Sequence, residues 1–265
     1  MFWALAVVAA LIAGAWLLGA RERVFKISRG APAYFVALKR SGEGAPTLAP
    51  GISIAWRSRA DFTFIGEGDA YWTDFFILTG EGNPLPLGPE IADAYVARVA
   101  LLRPPILALG VLKLLVLTGL LSRPRGQTLT DPRALGRVQA FMPSVEAIAG
   151  LTTRPPTYQP AMVNFLQYKP DGGARAYRRY GRVALRTVYR TGGHLLFYGR
   201  IEQVLHAAKS GPCLGAWDDV AAMRYNRPEA ILTMEHAPDY RAALSARDEG
   251  LLRTCVIAST PEGEG

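Results

Sequence analysis

The stretch "AMVNFLQYKPDGGARAYRRYGRVALRTVYRTGGHLLFYGR", Ala161 to Arg200, changes its hydrophobic period twice. Ala161 to Tyr168 is a short apolar run of strand length, ended by Lys169, Pro170, Asp171, Gly172 and Gly173. Tyr177, Gly181, Ala184 and Val188 then recur at helical spacing. Asp171 is placed to cap that helix and Gly192 and Gly193 to stop it. The opposite face carries Arg178, Arg182, Arg186 and Arg190 at a strict four-residue interval. At 3.6 residues per turn that row drifts by about 40° per step, so it forms a slanting band whose simplest reading is a solvated face.

Outward from this unit the pattern repeats. His194 to Leu205 and Ala216 to Tyr225 read as two strands joined by a Gly/Pro turn. Asn226, Arg227 and Pro228 open a second helix, which breaks at Pro238, resumes through Tyr240, Leu244 and Arg247 and ends at Gly250. Arg253 to Ser259 is the last strand. The order βαββαβ predicts an α+β, ferredoxin-like domain over 161–265, with two helices on one face of a four-stranded antiparallel sheet.

The chain has 265 residues, enough for one large or two small domains with real cores. Its two cysteines, Cys213 and Cys255, lie in no CxxC or Cys/His cluster, so no metal site is expected, and reduced thiols suit a cytosolic chain. The net charge of +8 is nearly all arginine and favours anionic surfaces without specifying a fold.

Phe2 to Ala20 holds no charged residue and is about as long as a bilayer's hydrocarbon core when helical, with Trp3 and Trp16 near its ends. Residues 1–20 are therefore expected to be a single-pass transmembrane anchor, with membrane contact through residues 2–20. A cleaved signal peptide competes, but the segment lacks a basic leader and a small-x-small cleavage pattern. Arg21, Arg23, Lys26 and Arg29 follow it, which predicts a cytoplasmic body. Residues 21–122 read as a further α+β region ending in an apolar helix at 106–121, too short and too interrupted by Lys113 to favour a second crossing. Residues 123–160 are Pro-rich and read as a partly helical linker, with short helical patterns such as Arg133 to Phe141.

From Met162 to Thr260 the chain resembles the uncharacterised domain-of-unknown-function family 1330 of the dimeric α/β-barrel superfamily. The resemblance rests on "MVNFLQYKP", "YRRYG", "FYGR", "WDDVAAMRY" and "DYRAALSARDEGLLRTCVIAS" in that order and covers a little over a third of the chain. It implies an open sheet face that pairs with another copy and a pocket between sheet and helices, and it supplies no reaction. The first half carries similar pieces in the same order: "PAYFVALK" (32–39), "FIG" (64–66) and "WTDFFIL" (72–78) beside "PAMVNFLQYK", "FYG" and "WDDVAAM". A degenerate second copy would make the pairing an internal pseudo-dimer in place of a homodimer. Short aromatic strands that merely look alike are the competing explanation.

Polar residues on core elements are the site candidates, because burying them is costly unless they are paired or used. His236 and Tyr198 are the catalytic candidates. Asn164, Tyr180, Trp217, Asp218, Tyr240 and Arg247 are the ligand-binding candidates. Asn164, Trp217 and His236 are similar to the Asn/Trp/His set of heme-degrading monooxygenases in the same superfamily, but Trp217 opens its strand where those enzymes carry it at the far end. Each candidate also has a plain structural role: His236 as a helix cap, Asp218 as a strand-end residue, the tyrosines as amphipathic packing. No Ser/His/Asp order, P-loop, GxGxxG or HExxH occurs, so no cofactor is implied. The expected function is a membrane-anchored protein whose pocket holds a small apolar or aromatic molecule. The alternative is a cofactor-light monooxygenase or isomerase using His236 with Tyr198 or Asn164. Specific nucleic-acid binding is not expected, since exposed strands lack alternating aromatic and basic residues.

Overall fold

The computed structural model describes residues 2–26, 31–42, 46–66, 68–86, 88–125, 141–211 and 214–262. Arg29, the 133–140 part of the helical pattern in the linker and Cys213 lie outside them. Eight strands are found among the described residues: β1 (Ala33–Arg40), β2 (Ser53–Ile65), β3 (Asp74–Thr79), β4 (Ile91–Leu101), β5 (Ala161–Tyr168), β6 (His194–His206), β7 (Asp219–Arg224) and β8 (Leu251–Pro261). All are antiparallel to their neighbours and close a barrel in the order β1-β3-β2-β8-β5-β7-β6-β4. The helices are α1 (Phe2–Ala20), α2 (Ile106–Leu117), α3 (Val145–Thr152), α4 (Gly173–Arg190) and α5 (Pro238–Gly250).

This corrects the expected layout. The strands of 161–265 are not a ferredoxin-like domain with an open sheet. Their two outer strands, β8 and β6, are hydrogen-bonded to β2 and β4, so all eight strands share one barrel wall closed within a single chain. A free sheet edge presents a row of unpaired backbone donors and acceptors, and closure removes it. The side chains show why the barrel stays shut. On β5, Ala161, Val163 and Phe165 point inward, and Met162 and Leu166 outward. Phe165 stacks edge-on against Phe35 of β1 at 5.3 Å and lies 5.5 Å from Trp217, while Trp56 of β2 meets Phe197 of β6 at 5.1 Å. Both halves of the chain therefore build one aromatic core, each fully buried ring contributing roughly 2–3 kcal/mol.

The second correction concerns residues 1–20. Among the described residues no helix is long and apolar enough to cross a membrane, so the single-pass anchor, the membrane contact through 2–20 and the placement deduced from them are not supported. The helix over 2–20 packs instead along α2. A Cβ added at Gly110 would collide with the Ala15 carbonyl and one at Gly19 with the Ile106 carbonyl, so the two backbones approach more closely than any other residue permits. Just past α1, the buried Glu22 accepts hydrogen bonds from Lys113 Nζ of α2 (2.5 Å) and from the Tyr189 hydroxyl of α4 (2.7 Å), with His194 Nδ1 at 3.3 Å. Burial alone would raise the Glu22 pKa, and these three partners outweigh it and hold the carboxyl below its usual range. The α1–α2 pair is thereby riveted to the barrel's helical side.

A smaller correction falls at the start of α4. Asp171 adopts φ 60°, Gly172 takes the cap position at φ 103°, and no side chain caps the helix.

Gly110→Val inserts an isopropyl group at the α1–α2 crossing and is expected to cost about 1–3 kcal/mol there. Limited trypsin digestion should then cut faster after Arg21 and Arg23 while the barrel's denaturation midpoint holds. Unchanged cutting would show that the crossing does not hold α1.

Candidate functional site

The barrel interior is filled by aromatic rings, so space for a ligand must lie outside it. Such a space opens between the outer faces of β5 to β8 and the helices above them, with a cavity volume of about 420 Å³. Alternation supplies its floor: Met162, Asn164, Leu166 and Tyr168 on β5, Tyr198 on β6, and Asp219, Ala221 and Met223 on β7. Its roof is the apolar stripe of α4 together with Tyr240 and Arg247 of α5. α4 and α5 are pinned beside each other where Gly173 meets Gly250, since a Cβ on Gly250 would stand 2.6 Å from the Tyr177 nitrogen.

Two polar centres interrupt this apolar lining. In the first, the Tyr168 and Tyr198 hydroxyls both donate to Asp219 Oδ2, at 2.5 and 2.6 Å, and lie 2.8 Å from each other. Burial is the largest cause that raises both phenol pKa values, and the Asp219 charge adds to it, so both remain protonated donors. In the second, Tyr180 and Tyr240 share a hydrogen bond of 3.2 Å, and the buried Arg247, 6% exposed, donates through Nε to Asp248 Oδ1. Glu235 joins this centre from the short turn at Leu232–His236. It is 9% exposed and its Oε2 has no hydrogen-bond partner among the described residues. Burial raises the Glu235 pKa, against the opposing charges of Arg247 and Arg241. Between the two centres the rings of Tyr168, Tyr177, Tyr180 and Tyr240 follow one another at 5.3, 5.4 and 5.9 Å.

Five of the residues singled out in the sequence line this cavity: Asn164, Tyr180, Tyr198, Tyr240 and Arg247. Asn164 is on the floor with its amide donating to the Met162 carbonyl at 2.8 Å. Three others lie elsewhere. Trp217 is inside the barrel against Phe165, with Arg253 over its ring at 4.1 Å. Asp218 is exposed and accepts from the Tyr168 backbone at 2.7 Å. His236 ends its turn outside the cavity wall. Asn164, Trp217 and His236 therefore do not face a common space, and the similarity to the heme-degrading set does not extend to geometry.

Sequence reasoning missed Tyr168, Asp219 and Glu235 as site residues. Tyr168 was in reach, because it shares the face of Asn164 by period two. Asp219 was not, because Trp217 and Val220 both point into the barrel, and a spacing of three breaks the alternation that would have told the two aspartates apart. Among the described residues no group of His, Cys, Asp and Glu side chains could hold a metal ion.

No family model matches the chain, and no curated protein does. Among solved structures, a protein of unknown function from Rhodopseudomonas palustris is 25% identical, over 48% of this chain and 100% of its own, with a TM-score of 0.41. Its methylated form is 27% identical over 49% of this chain and 99% of its own, with a TM-score of 0.40. A protein provisionally described as a monooxygenase from Fusobacterium nucleatum is 8% identical, over 89% of this chain and 94% of its own, with a TM-score of 0.37. These likenesses are too loose to carry a functional assignment.

The Glu235 carboxyl yields a pH test. Its folded pKa is raised, so the unfolded chain releases this proton first and ionisation of Glu235 erodes stability as pH rises through the carboxylate range, from about pH 4. Glu235→Gln removes that loss. The variant is expected to match the wild type in denaturation midpoint near pH 3.5 and to exceed it at pH 7. A wild type that stays the more stable at pH 7 would contradict the raised pKa of the buried Glu235 carboxyl.

Proposed function

We propose that the protein binds a small, largely apolar, aromatic molecule in the cavity between the outer sheet face and α4 and α5. The observation that carries this reading is a cavity of about 420 Å³, within the roughly 300–1,000 Å³ typical of small-molecule sites, walled by a file of tyrosine rings. Tyrosine faces offer broad, stiff apolar contact, and their hydroxyls fix a ligand's orientation. The Asp219 pair of phenols and the Glu235–Arg247 corner give two polar anchors, one at each end of the tyrosine file. For residues 162–260 we also propose membership of the family that their motifs resemble.

Binding fits this geometry better than acid–base catalysis does. A general base has to reach the proton that it removes, and His236 is outside the wall. The half-buried phenols of Tyr168 and Tyr198 hold their protons well beyond neutral pH and act as donors.

A neutral naphthalene dye, N-phenyl-1-naphthylamine, tests the reading. It should gain fluorescence with the full chain and raise the melting temperature, by about 2.7 kcal/mol of stability at a hundred times its Kd. Gly181 lines the cavity, and a Cβ there meets nothing within 4 Å, so Gly181→Trp places bulk in the space without a backbone clash. That variant should fold and lose the dye. Dye binding that survives it would place the site elsewhere.

A further inference from the structure

Among the described residues, the cavity wall holds five arginines, Arg103, Arg178, Arg182, Arg200 and Arg247, against two carboxyl groups, Asp219 and Glu235. Arg247 is paired with Asp248, and Asp219 and Glu235 can answer at most two of the other four arginines. The surplus is therefore positive, inside a space whose apolar walls focus field lines instead of screening them.

The arginines of α4 divide by where they point. Arg179 pairs with Glu249 at 2.9 Å, while Arg186 and Arg190 both pair with Asp239, all across to α5. Arg178 and Arg182, the two that line the cavity, form no ion pair among the described residues. They are one helical turn apart, so their guanidinium groups reach the same region. Arg200 comes from the floor side, two residues after Tyr198 on the same strand face, and it too has no ion pair among the described residues. All three are exposed and yet line the cavity, which sets them at its mouth. The four-residue arginine row is thus two structures in one: a set of helix–helix ties and an unengaged pair turned to the opening.

We propose that the cavity takes an amphipathic acid, with its apolar or aromatic body along the tyrosine file and its anionic head held at the mouth by Arg178 and Arg182 of α4 and Arg200 of β6. This rests on the ligand-pocket reading. Arginine presents a planar fork that matches the two oxygens of a carboxylate, and three such forks from two elements around one opening select for charge as well as shape.

Two dyes that differ by one sulfonate provide the test: 8-anilinonaphthalene-1-sulfonate and the neutral N-phenyl-1-naphthylamine. Fluorescence titration of the full chain at low salt should give at least about tenfold tighter binding of the sulfonate. That preference should shrink as salt rises, because the arginines are exposed. In the triple variant Arg178→Ala, Arg182→Ala, Arg200→Ala, shown to be folded by its denaturation midpoint, the ratio of the two affinities should fall to about two or less. Gly181→Trp should remove both dyes and excludes binding on other apolar surfaces. Equal affinities in the wild type, or a preference that survives the triple variant, overturn the anionic-head inference while leaving the pocket in place. Dye binding that Gly181→Trp does not remove, or no binding at all, overturns the pocket reading and this inference with it.

Discussion

Two backbone ladders, β2 against β8 and β4 against β6, are the constraint on which the rest of the structure depends. Each joins a strand of the first half of the chain to one of the second. Without them each half would expose two edges and one face of bulky aromatic residues. With them, Phe35, Phe75 and Tyr95 meet Phe165 and Phe197 in a core that belongs to neither half. Closure also decides which sheet surface is left for function. The inner surface is used up by packing, so a binding space has to form on the outer surface. There α4 and α5 stand off the sheet far enough to leave one.

How the outer surface is covered differs around the barrel. Beside β1 and β3, loop residues such as Ile52 and Leu85 cover Tyr34, Val36, Phe76 and Leu78 directly, and the packing is tight. Over β5 to β8, helices replace loops, and tyrosines fill the larger gap incompletely. A tyrosine in such a place satisfies two demands at once: its ring buries area, and its hydroxyl finds an acceptor. Asp219 and the Tyr180–Tyr240 pair show that the hydroxyls are placed and not merely tolerated.

Much of the second half was legible because its alternation is clean. Period two over 161–168 separated Val163 and Phe165 from Met162 and Asn164, and the helical stripe of Tyr177, Gly181, Ala184 and Val188 marked the face of α4 that turns toward the sheet. The closed barrel was not legible, since it depends on pairings between residues far apart, such as Thr63 with Ile257, that no local pattern encodes. β2 was hidden by Arg57, Arg59 and Asp61, charged residues on a thirteen-residue strand whose pairing is interrupted by register shifts. The uncharged run at 2–20 misled, because hydropathy registers composition and not the glycine contacts at Gly19 and Gly110 that set α1 against a neighbour. The arginine row was read as a solvated face, and Arg178, Arg182 and Arg186 are exposed. Its even spacing hid the fact that α5 supplies Asp239 for Arg186 and Arg190 and, among the described residues, no ion-pair partner for Arg178 and Arg182.

The same ladders set the order in which the molecule can assemble. β5, α4, β6 and β7 are near neighbours in sequence and can find one another quickly, whereas Thr260 reaches Asp61 across 199 residues. Contacts so remote bear the entropy of closing a long loop before they return any stabilisation, so they belong to the late, slow part of folding. The seam between β2 and β8 is therefore where a nascent chain stays open longest. Until it shuts, the aromatic faces of both halves remain available to other chains, so this late step is where the folding chain is most exposed to aggregation.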